Sequence, residues 1–325
     1  MRCLKVAASS LLLMIMVGPA LATLLADCPE LARTALAATD QLCDTTRRNE
    51  ACYGHQLLQA QPQPGVDSFV FDRPGNQVDV AQLQSLRLSA MQLDSGVWGV
   101  ALMRLQANIP ASQRRDVTLL TFGDVQIENK VESPTELDVT VSGHNDVSVL
   151  QQPRMDAEAV GLLAPGQTVT AHERLADNSW LRVELPENGE FGWVSAPLVT
   201  SADSIEALRV ANEATPFYRP MQAFQFSSGA GESGCSETPP NGLLIRTPEG
   251  VGEINFLINE VNIRLGSTVF FQAQPGSMMT ISTLEGHAAI EAGGELQVAT
   301  TGMQVSVPLD ENLAPAGPPS GCRNS

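Results

Sequence analysis

Histidine and serine side chains are the natural starting point in a search for catalysis, because acid–base and nucleophilic mechanisms usually need one of them beside a partner. Four histidines occur, His55, His144, His172 and His287, and none lies in the H-E-x-x-H pattern of helical zinc sites. Ser233 lies in Gly-Glu-Ser-Gly-Cys, which lacks the last glycine of the G-x-S-x-G nucleophile turn. No phosphate-binding or dinucleotide-binding glycine motif occurs either. We therefore expect no catalytic residues, no bound metal and no cofactor.

The first 22 residues have the three-part layout of a secretory signal peptide. Arg2 and Lys5 form a short positive region, an apolar run covers residues 6–17, and Ala20-Leu21-Ala22 supplies the small residues that a signal peptidase requires. The apolar run is shorter than the about 20 residues that a membrane-spanning helix needs. An N-terminal membrane anchor is the alternative. We expect cleavage after Ala22 and export to the cell envelope or the extracellular space.

Five cysteines remain after that cleavage: Cys28, Cys43, Cys52, Cys235 and Cys322. Their spacing includes no C-x-x-C pair and no nearby histidine pair, which favours disulfides over a zinc site. We predict at least one disulfide among Cys28, Cys43 and Cys52, and a second bridge between Cys235 and Cys322; the sequence alone leaves the connectivity open. Cys28 is not expected to carry a lipid, because Asp27 stands where a lipoprotein signal has a small residue.

The charge balance restricts the class of partner. The chain carries a formal charge of −17 at pH 7, and removal of Arg2 and Lys5 takes this to −19. Such a charge repels nucleic acid and anionic lipid at long range, so we expect no nucleic-acid partner. No segment after the signal region is apolar for long enough to cross a membrane, which predicts no transmembrane anchor after processing.

Residues 137–200 have the strand and turn pattern of a small β-barrel. Valines alternate with polar residues from 139 to 149, and Pro165-Gly166 and Asn188-Gly189 are strong turn signals. Two of the predicted strands carry a tryptophan, Trp180 and Trp193.

Within this range, residues 139–200 resemble bacterial Src-homology-3-type (SH3-type) domains. The shared elements occur in the family's order: a Val-x-Val strand, Pro153, the Val160-Gly161…Gly166 turn, Trp180-x-x-Val183, and Gly189…Gly192-Trp193-Val194. The resemblance implies a barrel that binds cell-wall peptides or targets a neighbouring enzyme. The family's first strand usually carries Asn and Arg where this chain has Ser148 and Leu150, so the family's ligand contacts are not carried over.

Trp180 and Trp193 are the candidate ligand-binding residues of the barrel. Flat apolar ring faces along a barrel groove can hold an extended ligand. The alternative is that each ring packs in the barrel core.

The rest of the chain divides into further predicted units. Residues 23–134 are predicted to form an α+β domain of unknown function, with helical periodicity over 28–60 and short apolar strands after it. Residues 201–241 are predicted to be a linker and loop, and residues 311–325 a flexible tail rich in proline and glycine.

Residues 242–310 are predicted to form a strand-rich domain with regularly spaced turns. The glycine spacing of Leu265-Gly266, Leu284-Glu285-Gly286 and Gly302-Met303 resembles the ferric-citrate-regulator (FecR-like) β-domains. This resemblance implies an extracytoplasmic domain that acts in binding or signalling and has no catalytic residues.

Together, these patterns predict a mainly β protein with a small N-terminal α+β domain, a central SH3-like β-barrel and a C-terminal all-β domain. The predicted function is that of a secreted, non-catalytic binding or interaction protein. Its expected partner is peptidoglycan, another extracellular polymer or another envelope protein. Two alternatives stay open: an envelope hydrolase that uses the barrel for targeting, and an extracytoplasmic sensory protein.

Overall fold

The computed structural model describes residues 28–110, 113–132, 135–213, 216–230 and 240–324, and the structural statements below concern these residues. The predicted signal peptide, Ser233 and Cys235 lie outside the described residues, as do the side chains of Cys28 and Cys322.

The described chain contains one α-helix and 25 strands. In chain order they are α1 (Cys28–Leu42), β1 (Glu50–His55), β2 (Leu58–Pro62), β3 (Gln77–Asp79), β4 (Leu83–Leu88), β5 (Val100–Leu105), β6 (Val117–Phe122), β7 (Val125–Asn129), β8 (Leu137–Val141), β9 (Val147–Leu150), β10 (Ala159–Leu163), β11 (Thr168–Arg174), β12 (Trp180–Glu184), β13 (Phe191–Ser195), β14 (Val199–Thr200), β15 (Arg209–Val210), β16 (Ala223–Ser228), β17 (Gly242–Arg246), β18 (Ile254–Ile258), β19 (Val261–Leu265), β20 (Thr268–Ala273), β21 (Met278–Glu285), β22 (His287–Ala292), β23 (Glu295–Thr300), β24 (Met303–Pro308) and β25 (Ser320–Asn324). The prediction of a mainly β protein with one helix near its N-terminus is confirmed.

Two large sheets form a sandwich. The first sheet has nine strands in the order β25-β24-β21-β20-β17-β6-β5-β1-β3, and the second has eight in the order β2-β4-β7-β16-β18-β19-β22-β23. One continuous apolar core, drawn from strands of both sheets, lies between them.

The sandwich core follows from alternation along the strands. In β19, Val261, Ile263 and Leu265 are buried, whereas Asn262 and Arg264 are exposed. Successive side chains of a strand point to opposite faces, so this pattern buries one face of the sheet and leaves the other for solvent or a neighbouring element. The largest buried side chains of the core include Phe224, Phe226, Phe256 and Phe271. Burial of each such side chain is worth about 1.5–3 kcal/mol relative to its exposure.

The sandwich draws on both ends of the chain, which corrects the predicted division into separate domains at 23–134 and 242–310. β6 pairs with β17, with Leu119 opposite Ile245, and β7 pairs with β16, with Ile127 opposite Phe226. Neither part completes its sheets alone, because each sheet would end in an unpaired apolar strand at these positions. The sequence pattern shows that these segments are strands, but it does not show which strand completes the other.

Helix α1 covers part of the outer face of the nine-stranded sheet. Ala32 and Ala35 pack against Trp98, Val100 and Phe122, which point away from the sandwich core. The predicted helix over 28–60 is too long, because β1 and β2 occupy its second half. Alternation within β1 decides this, since Ala51 and Tyr53 face the sandwich core.

A disulfide joins the end of α1 to β1. Cys43 and Cys52 are bonded, with their Cα atoms 5.8 Å apart, which confirms the prediction of a disulfide among the first three mature cysteines. Closing a loop of this length stabilises the fold by about 2.5 kcal/mol in the chain-entropy account.

The SH3-like barrel is inserted between β7 and β16, which are neighbours in the eight-stranded sheet. Its strands follow the order β10-β9-β13-β12-β11-β8-β14, and β15 pairs in parallel with β11. It has its own apolar core, to which Val139, Val149 and Val183 contribute. The inserted barrel is therefore connected to the sandwich by two chain segments, residues 130–136 (the first connection) and residues 211–222 (the return segment).

Among the residues that the structure describes, no helix is long and apolar enough to cross a membrane.

Candidate ligand cleft at the barrel–sandwich junction

An ion-pair triad lies on the barrel, formed by the buried residues Glu173 and Arg182 and the partly exposed Arg209. Glu173 and Arg182 are cross-strand partners on β11 and β12, and Arg209 lies opposite Glu173 on β15. Arg182 Nη1 lies 2.5 Å from Glu173 Oε2, and Arg209 Nε donates to Glu173 Oε1 at 2.9 Å. One carboxylate therefore binds two guanidinium groups and fixes β15 against the barrel.

Trp193 stands beside this triad. The guanidinium carbon of Arg182 lies 4.5 Å from the centroid of the Trp193 ring, within cation–π range. Only 3% of Trp193 is exposed, so one face of its ring is occupied by a side chain of the same protein. Trp180 is half-buried at the start of β12 and does not line the cleft described below. The structure thus places one of the two candidate tryptophans at the cleft, and a ligand-binding role for either stays a prediction.

A second group of polar and aromatic residues, the junction cluster, lies where both connections reach the barrel. It consists of Glu136, His172, Glu184, Phe191, Phe217 and Arg219. His172 is 1% exposed, and its Nδ1 and Nε2 atoms lie 3.3 Å from Glu136 Oε1 and 3.6 Å from Glu184 Oε2. Arg219 donates from Nη2 to Glu184 Oε2 at 2.6 Å.

The aromatic members hold the return segment on the barrel. Phe217 of the return segment packs on Phe191 of β13, with ring centroids 4.4 Å apart, and on His172 at 5.0 Å. The guanidinium groups of Arg209 and Arg219 each lie 5.9 Å from the Phe217 ring. Phe217 therefore links the junction cluster, of which it is a member, to Arg209 of the triad.

The charged groups of the junction cluster shift one another's pKa values. Contact with His172 holds the pKa of Glu136 below its usual value, against the opposing effect of burial. Burial alone raises the pKa of Glu184, but His172 and Arg219 outweigh it and lower the pKa overall. Burial alone lowers the pKa of His172, but the Glu136 and Glu184 carboxylates outweigh it and raise the pKa above its usual 6.5. The arrangement thus favours an imidazolium between two carboxylates.

A cleft of about 470 Å³ opens between the barrel and the sandwich beside these two groups. Such a volume lies in the range of ordinary ligand sites. Its walls are rich in carboxamide and aromatic side chains. The lining residues are Asn108, Pro110, Gln113, Gln151, Arg182, Asn188, Gly189, Glu190, Phe191, Trp193, Glu213, Pro216, Phe217, Val251 and Asn255.

The walls of the cleft are held by close packing and by hydrogen bonds. Gly189, at the tip of the predicted Asn-Gly hairpin, has a φ of +70°, and a Cβ there would lie 2.6 Å from Pro110 Cα. A glycine is therefore required both for the turn and for the close approach of the barrel to the sandwich. On the sandwich side, Asn108 Oδ1 accepts from the Asn255 amide at 3.1 Å, and its Nδ2 donates to the Glu253 carbonyl at 3.1 Å.

A second cavity, of about 590 Å³, lies at the turns next to β17, β19 and β22. Glu253, Glu285 and His287 line it, and His287 Nε2 lies 2.9 Å from Glu253 Oε1. The described residues contain no group of three or more His, Cys, Asp or Glu side chains placed to hold a metal ion. The other histidines lie apart from this cavity: His55 binds the Trp98 carbonyl at 2.9 Å, and His144 is exposed on the barrel.

Sequence reasoning missed the triad and the junction cluster. The available signal was the pair His172-Glu173, which follows directly on the alternating residues Thr168-Val169-Thr170-Ala171 of a predicted strand. A β-bulge lies between Ala171 and Glu173, so three consecutive residues of β11 are buried where simple alternation predicts two.

Among the comparisons with known proteins, only the barrel matches a family. No curated protein matches the chain. One solved structure, a proposed anti-sigma factor from Parabacteroides distasonis, is 7% identical over 54% of this chain and 55% of its own, with a TM-score of 0.21. This chain therefore spans about half the length of that structure, and a likeness so distant supports no conclusion about fold or function. The FecR-like resemblance of residues 242–310 stays a prediction.

Residues 145–200 match the bacterial SH3 domain family. These domains commonly bind peptidoglycan or proteins, which suggests a binding or targeting role. The inserted barrel of this protein is a bacterial SH3 domain, as the order of its valine, glycine and tryptophan motifs predicted.

Proposed function

We propose that this is an exported, non-catalytic binding protein that holds a chain-like ligand of the cell envelope in the cleft between its bacterial SH3 domain and its sandwich. The observation that carries the proposal is the cleft itself. One wall comes from the SH3 domain, and the other comes from the sandwich into which the domain is inserted.

The side chains of the cleft favour an uncharged or cationic polar ligand. Carboxamides such as Gln113, Gln151 and Asn255 each offer donors and an acceptor, which suits hydroxyl and amide groups. Glu190 and Glu213 are exposed at the cleft, and with a net charge of −17 they disfavour an anionic ligand. Phe191 and Phe217 add apolar surface for stacking.

Export is supported by the cysteine chemistry. The Cys43–Cys52 disulfide joins two buried cysteines, and structural disulfides persist mainly in oxidising compartments outside the cytoplasm. The signal-peptide layout of residues 1–22 points to the same compartment. N-terminal sequencing of the protein from an envelope or culture fraction should find a start at Thr23.

Co-sedimentation of the full chain with purified peptidoglycan tests the binding site. Gln151→Ala and Asn255→Ala remove one hydrogen-bonding side chain from each wall, and each should weaken retention by about two- to tenfold. Gln59→Ala, on the exposed face of β2 and away from the cleft, is the matched control and should leave retention unchanged. Equal retention of all four proteins would show that the ligand binds elsewhere.

The hydrolase alternative depends on the second cavity, where His287 contacts Glu253 and Glu285 lies nearby. It predicts the release of soluble fragments from the same peptidoglycan, and the loss of that release in Glu253→Gln. The proposed binding function predicts no release by the unmodified protein.

A further inference from the structure

The SH3 domain is inserted into the sandwich, so its orientation depends on two short connections. Both connections reach the buried side chain of His172. Glu136 belongs to the first connection, Arg219 belongs to the return segment, and each is part of the cluster around His172. His172 and Glu184 are side chains of the domain itself, on β11 and β12. The cluster therefore joins the domain to both chain segments that lead to the sandwich.

The surroundings of His172 match the charged form of the imidazole. Its two ring nitrogens face different carboxylates, at 3.3 and 3.6 Å. A neutral imidazole carries a hydrogen on only one nitrogen, so its other nitrogen would present a lone pair to a carboxylate. Only the imidazolium is attracted to both Glu136 and Glu184.

Charge counting around the ring gives the same answer. The elements packed on His172 contribute the carboxylates of Glu136 and Glu184 and the guanidinium of Arg219. With a protonated His172 the charges of these four groups sum to zero, and with a neutral His172 they leave one unbalanced negative charge beside the buried ring. Of the triad, Glu173 and Arg182 lie on the same strands as His172 and Glu184, and Arg209 of β15 contacts Phe217, which packs on His172.

We propose that His172 is a pH-sensitive latch, which in its protonated form holds both connections on the SH3 domain and keeps the cleft in the shape described above. Deprotonation loosens the return segment, and with it Phe217, which lines the cleft. The latch acts within the protein alone, so it goes beyond the proposed function and does not depend on a ligand.

The pH window follows from the direction of each shift. Because the pKa of His172 is raised, its protonated form contributes to the stability of the latch. This contribution is complete below pH 6.5 and is lost as the pH rises through the folded-state pKa. Because the pKa values of Glu136 and Glu184 are lowered, their ionised forms also contribute to the stability of the latch. This contribution is present above pH 4.5 and is lost as the pH falls through their folded-state pKa values. The latch is therefore strongest between pH 4.5 and 6.5 and weakens as the pH rises through the folded-state pKa of His172.

The direct test is an NMR titration of the His172 ring in the full chain. The expected midpoint lies above 6.5, and Glu136→Gln should lower it, because that variant removes one of the two carboxylates. Glu136 has a side chain that is 47% exposed, so this variant should fold even if His172→Gln does not. A midpoint at or below 6.5, or one that Glu136→Gln leaves in place, would overturn the proposal.

Hydrogen exchange tests whether titration moves the return segment. After correction for intrinsic rates, amides in residues 217–222 should be several-fold better protected at pH 5.5 than at a pH above the measured midpoint of His172. This difference should shrink in Glu136→Gln and persist in His144→Gln, which changes an exposed histidine of the same domain. Protection that does not depend on pH would refute the latch even if His172 itself titrates as expected.

Discussion

The sandwich core and the barrel–sandwich junction are both buried, but they have opposite chemistry. The sandwich core is formed by apolar side chains of two sheets, among them Phe226 and Phe256. At the junction, charged groups such as Glu173, His172 and Arg182 are almost as deeply buried. Apolar burial is non-directional and increases with area, whereas a buried charge is strongly destabilising unless it has a partner of opposite charge.

The difference separates two tasks within one molecule. The sandwich core stabilises the fold and can accept small changes of shape. The junction contributes little net stability relative to an apolar equivalent, and we propose that it favours an arrangement of the inserted domain in which each charge has a partner. We therefore expect substitutions in the two regions to differ in how much stability they cost and in whether they also affect ligand binding.

The largest effect is expected in the sandwich core. Phe226→Ala removes a fully buried ring of β16 and should lower the free energy of unfolding by about 3–5 kcal/mol. Urea unfolding followed by circular dichroism measures this loss. Leu296→Ala on β23 removes a side chain from a residue that is 52% exposed and should change stability by less than about 0.5 kcal/mol. Similar losses in both variants would contradict the proposed role of the shared core.

A loss of about 3 kcal/mol is expected when the triad loses its carboxylate. Glu173→Gln leaves the guanidinium groups of Arg182 and Arg209 without their buried counter-charge, whereas the shape of the side chain hardly changes. Thermal unfolding of the variant provides the measurement. Glu158→Gln makes the same chemical change at an exposed site of the barrel and should be neutral. If Glu173→Gln left the stability unchanged, the three residues of the triad would not be energetically coupled.

The smallest effect is expected at the edge of the junction. Phe217→Leu keeps apolar volume but removes the ring that contacts Phe191, Arg209 and Arg219. The expected loss is about 1 kcal/mol, the size of an aromatic or cation–π contact. Peptidoglycan retention should fall as well, because Phe217 lines the cleft.

Phe69→Leu is the matched control for that variant. Phe69 is a half-buried aromatic residue of the sandwich with a ring contact to Phe71 at 6.3 Å. It should show a comparable loss of stability and no change in retention. If peptidoglycan retention fell equally in both variants, the stability of the fold, and not the cleft, would control binding.

The sequence predicted the SH3 domain more completely than any other part. Its strands follow one another along the chain, and the Asn188-Gly189 hairpin joins β12 to β13, which are paired neighbours in the barrel. A disulfide among Cys28, Cys43 and Cys52 was predicted because an exported chain without a zinc-type cysteine pattern favours disulfides, and the structure decided that Cys43 pairs with Cys52. The helix was overextended, because Ala and Leu residues in 43–60 suit a strand as well as a helix when only local periodicity is considered.

The candidate cleft was only partly predictable. Trp180 and Trp193 were both predicted as ligand-binding candidates. Trp193 lies at the cleft, but Trp180 does not. Asn108 and Asn255 gave no signal, because isolated carboxamides occur throughout any polar surface. They become notable only when the sandwich places them opposite the SH3 domain.

By itself, the amino-acid sequence determined the strand content, the bacterial SH3 domain and the strongly acidic charge, since each depends on local pattern or on composition. Only the tertiary structure decided that β6 pairs with β17 and β7 with β16, so that the two ends of the chain form one sandwich around the inserted domain. It also decided that Glu136, His172 and Arg219 meet. The physical reason is that alternation encodes which face of a strand is buried, whereas the partner of an edge strand or of a buried charge is selected by geometry between segments distant in sequence.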